Sequence, residues 1–266
     1  MKDTYSHGHH ESVLRSHRWR TAENSAAYLL PHLHPGLDLL DVGCGPGNIT
    51  LDLASRVSPG RVRGLDAAPE VIDVASAERD RRGATGIEFR QGDVYALDLD
   101  DGSFDVVHAH QVLQHLSDPV AALREMRRVV RPDGLVAARD SDYAAMAWAP
   151  LDPRLDRWLD LYHRITRENR AEADAGRHLL GWARQAGFTE VAATSSTWTF
   201  ADAETRAWWG DLWAVRVTDS SFATQAVDYG LATPADLADL AACFRDWAAS
   251  PDGFFAVLHG EILARG

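Results

Sequence analysis

The sequence predicts an α/β fold, a mostly parallel sheet with helices on both faces, and three observations carry that expectation. Between residues 37 and 140, short apolar runs alternate with longer amphipathic ones, as strands joined by crossover helices do. The stretch LDLLDVGCGPGNITLDLA, residues 37–54, passes from an apolar run through alternate glycines into an amphipathic run, a strand-to-helix turn. Helix punctuation falls where the alternation needs it: Asp118–Pro119 reads as a cap and first helical residue, RPDG (131–134) as a stop.

In chain order, residues 11–34 read as helical, with Val13, Leu14, Trp19, Ala22, Ala26 and Leu29 or Leu30 near one face, until Pro31 and HPG break the chain. Strands are expected at 38–42, 61–65, 86–90, 104–108 and 134–140, and helices at 47–57, 69–82 and 118–131. After residue 142 the rhythm changes. Residues 151–171 and 174–187 read as helices, 187–200 as a strand, 202–250 as mostly helical and rich in Trp and Ala, and 253–266 as a final strand. A strand pair closing the sheet, with a long helical insertion between its members, accounts for that order. The chain then divides into an N-terminal helical lid (1–36), a ligand-binding core (37–142) and a segment that completes the sheet and caps the site (143–266), all in one integrated domain.

Composition narrows the function. The 266 residues are 45% hydrophobic and 25% charged, ordinary for a soluble globular chain. No apolar run approaches the roughly 20 residues of a membrane span, and the N-terminus shows no export signal. Two cysteines, Cys44 and Cys243, are too few for a disulfide framework, so a reducing, cytoplasmic setting fits. A net charge of −12 argues against a nucleic-acid partner, with RDRR (79–82) and RRVVR (127–131) read as solvated helix ends. The sequence leaves a homodimer open.

Glycine lets the main chain bend sharply and approach a ligand, because no Cβ intervenes. Gly43, Gly45 and Gly47 sit between the first strand and its helix, whose first N–H groups lack partners. Their spacing is G-x-G-x-G, not the G-x-G-x-x-G of dinucleotide sites. Asp66, 19 residues after Gly47, ends the second strand, where it can accept both hydroxyls of a ribose or cap the next helix. Asp93 follows the third strand, where it can accept from an adenine amino group or shape a turn. Three such signals in order at strand ends point to a nucleoside-bearing ligand.

These residues resemble class I S-adenosylmethionine-dependent methyltransferases. LDVGCGPG, GLDAAPE and QGDVYALDLDDGSFDVV look like the first three motifs of that family. HQVLQHLSDPVAALREMRRVVRPDGLV is similar to the segment that follows in enzymes of the ubiquinone/menaquinone-biosynthesis type. A narrower likeness, carried by GHHESVLRSHRWRTAENSAAYLLPHL and VHAHQVLQHLSDPV, is to fungal and actinobacterial specialised-metabolite methyltransferases, including gliotoxin-type dithiol enzymes and those acting on tryptophan-containing cyclodipeptides. The resemblance implies a Rossmann-like, seven-stranded sheet with one antiparallel strand and helical lid elements. It also implies methyl transfer to a small apolar or aromatic acceptor, leaving S-adenosylhomocysteine. Carried onto this chain, Gly43, Gly45 and Gly47 would line the methionine and ribose, and Asp41 would orient the loop or meet the ammonium. Asp66 would hold the ribose with Ala67 beside the adenine, and Asp93 and Val94 would contact the adenine. His108 to Gln111 would run beside the methionine, and Arg18, Arg20 or Thr21 would reach its carboxylate.

Such a reaction needs alignment, water exclusion and, for some acceptors, a base. Candidate bases near the end of the fourth strand are His108, His110 and His115. Asp140, Asp142 and Tyr143 follow the fifth strand toward the cleft, and Asp142 reads as orienting a histidine or capping a turn. His7, His9, His10 and His17 lack the fixed spacing and cysteine partners of a zinc site, so no metal is expected, and Tyr5, His9 or His10 read as part of a substrate lid. Eight of the nine tryptophans follow residue 142 and read mostly as core, with Trp209 and Trp213, four apart, candidates for a pocket that takes a planar acceptor. The rival functions are a nicotinamide-dependent oxidoreductase, a cofactor-binding cyclase or regulator, and a tRNA or protein methyltransferase.

Overall fold

The apolar runs of the first half become the centre of one sheet. The computed structural model describes Asp3 and residues 19–266. Strands β1 (Leu39–Val42), β2 (Val62–Asp66), β3 (Ile87–Gln91), β4 (Phe104–His110) and β5 (Val130–Ser141) are mutually parallel, in the spatial order β3-β2-β1-β4-β5. All four β1 residues are buried, because helices cover both faces of a parallel sheet. Strand order reverses at β1, which pairs with β2 on one side and β4 on the other, so the crevice for a ligand opens at their carboxyl ends.

Helices α2 (Asn48–Val57) and α3 (Pro69–Arg81) follow β1 and β2, and α4 (Pro119–Val129) follows β4. The Asp118 carboxylate caps α4 by accepting from the Ala121 N–H at 2.9 Å. That helix stops at Val129, not 131, and RPDG lies in the first residues of β5, beside a register irregularity against Phe104 and Val106. Ahead of them, the helix expected over 11–34 is not continuous where it is described. It comprises α1 (Ala22–Ser25), closed by a Thr21–Asn24 capping box, and a 3₁₀ turn at Leu30–His32 around Pro31. Val13 and Leu14 lie outside the described residues.

The second half adds β6 (Ala147–Ala149), α5 (Pro153–Glu168), α6 (Ala175–Ala186), β7 (Glu190–Phe200), α7 (Ala203–Asp219), α8 (Ser221–Asp228), α9 (Pro234–Ala249) and β8 (Phe254–Arg265). Strand β8 runs antiparallel to β5, β6 and β7, so one reversed strand closes the sheet as expected. Among the described residues the sheet has eight strands rather than seven. The extra one, β6, is three residues against the start of β8, too short to show alternation. Helices α7 to α9 form the insertion between β7 and β8.

Three apolar clusters follow from this layout. One lies between the sheet and α4 and α6, and a second, on α1 and α2, includes Leu29, Leu53 and Val57. The third packs α5 against the insertion, where buried Trp158 of α5 meets Trp213 edge-on at 4.6 Å and Phe244 at 5.3 Å. Among the described residues, no helix is long and apolar enough to cross a membrane.

Candidate active site

A cleft of ≈ 580 Å³ opens at the carboxyl ends of β1, β2 and β4, where the topology places a ligand. One wall is the glycine loop. Gly43 has φ +68, and a Cβ there would come within 2.3 Å of Val112 Cγ2, so only glycine lets the main chain line the cleft. Gly47 serves packing: at φ +83 it caps α2, and a Cβ there would press on Phe89 and Ala75 at 2.8 and 3.1 Å. Asp66 tethers the loop, its two oxygens accepting from the N–H groups of Gly45 (3.0 Å) and Ala68 (3.1 Å). Asp93 accepts from the Tyr95 N–H at 2.9 Å, and Ala67 and Val94 line the same wall.

Asp41 and His108 occupy paired positions on β1 and β4. The Asp41 carboxylate takes the Thr50 hydroxyl at 2.5 Å and His108 Nδ1 at 2.7 Å, fixing the first turn of α2 to the sheet. Asp41 borders the cleft, but His108 is fully buried behind it, which corrects its expected place beside the methionine. Gly47 likewise does not border the cleft.

The other half of the cleft is aromatic. Trp19 stands edge-on to Trp198 at 5.2 Å and lies 5.2 Å from Trp208, and Trp209 and Trp213 of α7 continue the wall. Tyr143, stacked 3.8 Å from Tyr162, and Met146 complete it. Between the halves runs a chain of polar contacts. Arg20 donates to Gln111 Oε1 at 2.5 Å, and Gln111 Nε2 donates to Ser141 Oγ and His259 Nε2 at 3.0 and 2.8 Å. Ser141 donates to Gln114 Oε1 at 2.9 Å, and Gln114 Nε2 lies 3.0 Å from His115 Nε2. Because Gln114 Oε1 also accepts from Ser141 N–H (3.0 Å), its amide nitrogen faces His115 and assigns that ring the Nδ1–H tautomer.

The two cleft histidines are poor proton acceptors. Burial, then the charges of Arg20 and Arg216, holds His115 down to about 3. Burial, then Arg139 and Arg20, pushes His110 well below the usual imidazole range. Its two ring nitrogens have no hydrogen-bond partner among the described residues, and the ring is 6% exposed at the cleft wall. A ligand atom is the natural partner for them. Asp142, expected beside a histidine, faces away: it caps the 3₁₀ turn at Tyr143–Ala145 and is gripped by Arg177 at 2.5 and 2.6 Å, so the capping alternative holds.

Of the residues named from sequence, Arg20, Asp41, Gly43, Gly45, Asp66, Ala67, Asp93, Val94, His110, Gln111, His115 and Tyr143 come together at the cleft. Trp19, Trp198, Trp208, Met146 and Arg216 also border it without having been singled out. Arg216 follows Trp209 by seven residues and Trp213 by three, a helical spacing that marks one face of α7. Arg18 and the histidines His7, His9, His10 and His17, with Tyr5, lie outside the described residues. Among the described ones, no group of three or more His, Cys, Asp or Glu is arranged to hold a metal ion.

Comparison with known proteins places this geometry. The family described as "Methyltransferase domain" matches residues 33–199. An uncharacterized methyltransferase of Schizosaccharomyces pombe is 35% identical over 269 residues, covering 97% of this chain and 95% of that protein. A protein of Aspergillus luteorubrus named "Probable methyltransferase ltbC" is 29% identical over 98% of this chain and 97% of its own length. The solved structure of a Haemonchus contortus phosphoethanolamine N-methyltransferase, in complex with phosphomonomethylethanolamine and S-adenosylhomocysteine, shares the fold. Its TM-score is 0.58 at 14% identity, over 91% of this chain and 53% of that one.

Proposed function

The chain belongs to the methyltransferase-domain family as an S-adenosylmethionine-dependent methyltransferase, and on that premise we propose that its acceptor is a small, flat, largely apolar molecule of the specialised-metabolite kind. The observation that carries the proposal is the shared cleft, which five tryptophans, Trp19, Trp198, Trp208, Trp209 and Trp213, line together with the glycine loop. Flat aromatic walls bind planar ligands with little loss of side-chain entropy and exclude water. When bound, S-adenosylmethionine supplies an electrophilic methyl on sulfur, whose bond to sulfur breaks as the acceptor's lone pair bonds to carbon.

The donor's site fits the residues present. The Gly43 main chain leaves room that a Cβ would fill, Asp66 offers its carboxylate to ribose hydroxyls, and Asp93 and Val94 flank the adenine. Arg20, beside Gln111, is the cation for the amino-acid carboxylate. The chain's own work is alignment, an effect that supplies roughly 7–11 kcal/mol in favourable intramolecular models. His110 and His115, held neutral, act as hydrogen-bonding partners that orient the acceptor. A test is calorimetric titration with S-adenosylhomocysteine, followed by incubation of S-adenosylmethionine with a panel of aromatic hydroxyls, indoles, thiols and alkylamines. Mass spectrometry should find one added methyl on flat aromatic members. Donor binding with methylation confined to alkylamines would refute the acceptor assignment.

A further inference from the structure

Asp3 borders the cleft with no motif around it to mark it. It lies 92 and 114 positions from its two partners, yet its carboxylate joins them: Oδ2 accepts from the Tyr95 hydroxyl at 2.7 Å, and Oδ1 from the Ser117 N–H at 3.1 Å. Tyr95 belongs to the connection between β3 and β4 (92–103), and Ser117 to that between β4 and α4 (111–118). Both connections border the cleft, the first through Asp93, Val94 and Leu97, the second through Val112 and Leu116.

The atoms of this bridge have defined roles. The Tyr95 hydroxyl accepts from the Asp118 N–H at 3.2 Å, which leaves its own proton for Asp3. Burial, with the Asp3 charge acting in the same direction, raises the Tyr95 pKa, so the phenol keeps that proton near neutral pH. Beyond the bridge, the Tyr95 N–H donates to Asp93 at 2.9 Å, and Asp118 caps α4 through the Ala121 N–H at 2.9 Å. Asp3 therefore links a connection that carries Asp93 to one anchored in a helix cap. Both of its oxygens are engaged by the protein, one on each connection, and hydrogen bonds to a charged acceptor are stronger than neutral ones.

We propose that Asp3 staples these two connections across the nucleoside end of the cleft and thereby sets the rate at which the donor enters and S-adenosylhomocysteine leaves. The inference rests on the donor reading above, which puts the adenine beside Asp93 and Val94, and adds what governs its exchange. The staple opens for the nucleoside to pass and closes behind it, so it raises the barrier in both directions without adding a contact to the bound donor. Loss of a direct contact would act differently, speeding departure alone and weakening affinity. Product release limits turnover in many enzymes, which gives such a staple a hold on the reaction rate.

The test passes S-adenosylhomocysteine over the immobilised full chain and reads both rate constants by surface plasmon resonance. Asp3→Ala should raise association and dissociation alike by about tenfold, the low end for one hydrogen bond to a charged group, and leave affinity within about threefold. Asp3→Asn, which keeps an acceptor oxygen for the Tyr95 hydroxyl, should fall between. Tyr95→Phe breaks the staple from its other end and should accelerate exchange to a similar degree, and the double variant should go no further. Rate constants of Asp3→Ala within about twofold of the native ones, additive effects in the double variant, or faster dissociation with unchanged association would overturn the proposal. Failure of the native chain to bind S-adenosylhomocysteine would instead undo the donor reading, and this inference with it.

Discussion

Removing the Asp66 carboxylate should loosen the donor without unfolding the protein. In the structure its oxygens accept from the Gly45 and Ala68 N–H groups at 3.0 and 3.1 Å, and the side chain is only half-buried at the cleft. Asp66→Ala deletes both acceptors and a charge, but the two amides stay near water and re-solvate, so the fold should survive. The donor loses the charged acceptor for its ribose, and a hydrogen bond to a charged group contributes about 1.5–3 kcal/mol. That range corresponds to roughly tenfold to a hundredfold weaker binding of S-adenosylhomocysteine. Asp66→Asn, which keeps one acceptor oxygen, should fall between the two. Isothermal calorimetry measures the affinities, and a thermal melt of each variant without ligand verifies the fold. Affinity for S-adenosylhomocysteine within twofold of the native chain, in an Asp66→Ala protein that melts normally, would refute the ribose assignment.

Two further outcomes follow from particular atoms. Gly43→Ala should lose about 1–2 kcal/mol to its left-handed backbone and about 1–3 more as its methyl displaces Val112, detectable by denaturant unfolding; a variant as stable as the native chain would mean that the loop is looser than drawn. Asp140, held near 7 when folded against an ordinary 3.8, binds its proton more tightly in the folded chain, so stability falls as pH rises from about 4 to about 7, by about 4 kcal/mol at most. Asp140→Asn keeps an acceptor for the Gln114 N–H and should flatten the decline between about pH 5 and pH 8, worth about 3 kcal/mol of the native slope, when unfolding is followed at both; parallel slopes for the two proteins would remove Asp140 as its source.

The parallel half of the fold was legible because its signals are local. An apolar run, a glycine turn, a capping Asp118 and the proline after it all act within a few residues, and each marks an element whose limits fall within about two positions of the observed ones, except that β5 begins four residues earlier than expected. Strand β6 was not legible, since three residues joined to β8 owe their conformation to a partner more than a hundred positions away. The same distinction divides the site. Asp66 and Asp93 lie at strand ends, and topology alone brings them to the crevice. His108 reads like His110, two positions on and on the same side of β4, yet strand register sets it against Asp41 in the interior while His110 reaches the cleft. Asp142 was drawn away by Arg177 from α6, a partner 35 residues on. The tryptophan wall mixes Trp19 from before the sheet with Trp198 of β7 and three residues of α7, an assembly that only tertiary packing shows.

Gln111 is where these separate pieces meet, and its backbone records the fact. It has φ +53, a left-handed conformation that disfavours a residue with a side chain by roughly 1–3 kcal/mol. Its N–H donates to the Arg139 carbonyl at 2.7 Å, and its side chain touches Arg20, Ser141 and His259. Four contacts from three parts of the chain, Arg20, β5 and β8, offset the strain, and losing one would leave the others to hold an unfavourable turn. The residue therefore couples the halves of the cleft. Arg20, which grips it from the donor side, and His259, which packs 4.4 Å from Trp198 on the aromatic side, both reach the same amide. If donor binding draws Arg20 off Gln111 Oε1, that amide regains freedom to turn, and the polar chain through Ser141 and Gln114 to His115 rearranges with it. On this argument the aromatic chamber takes its final shape after the donor is in place, so the acceptor should bind second.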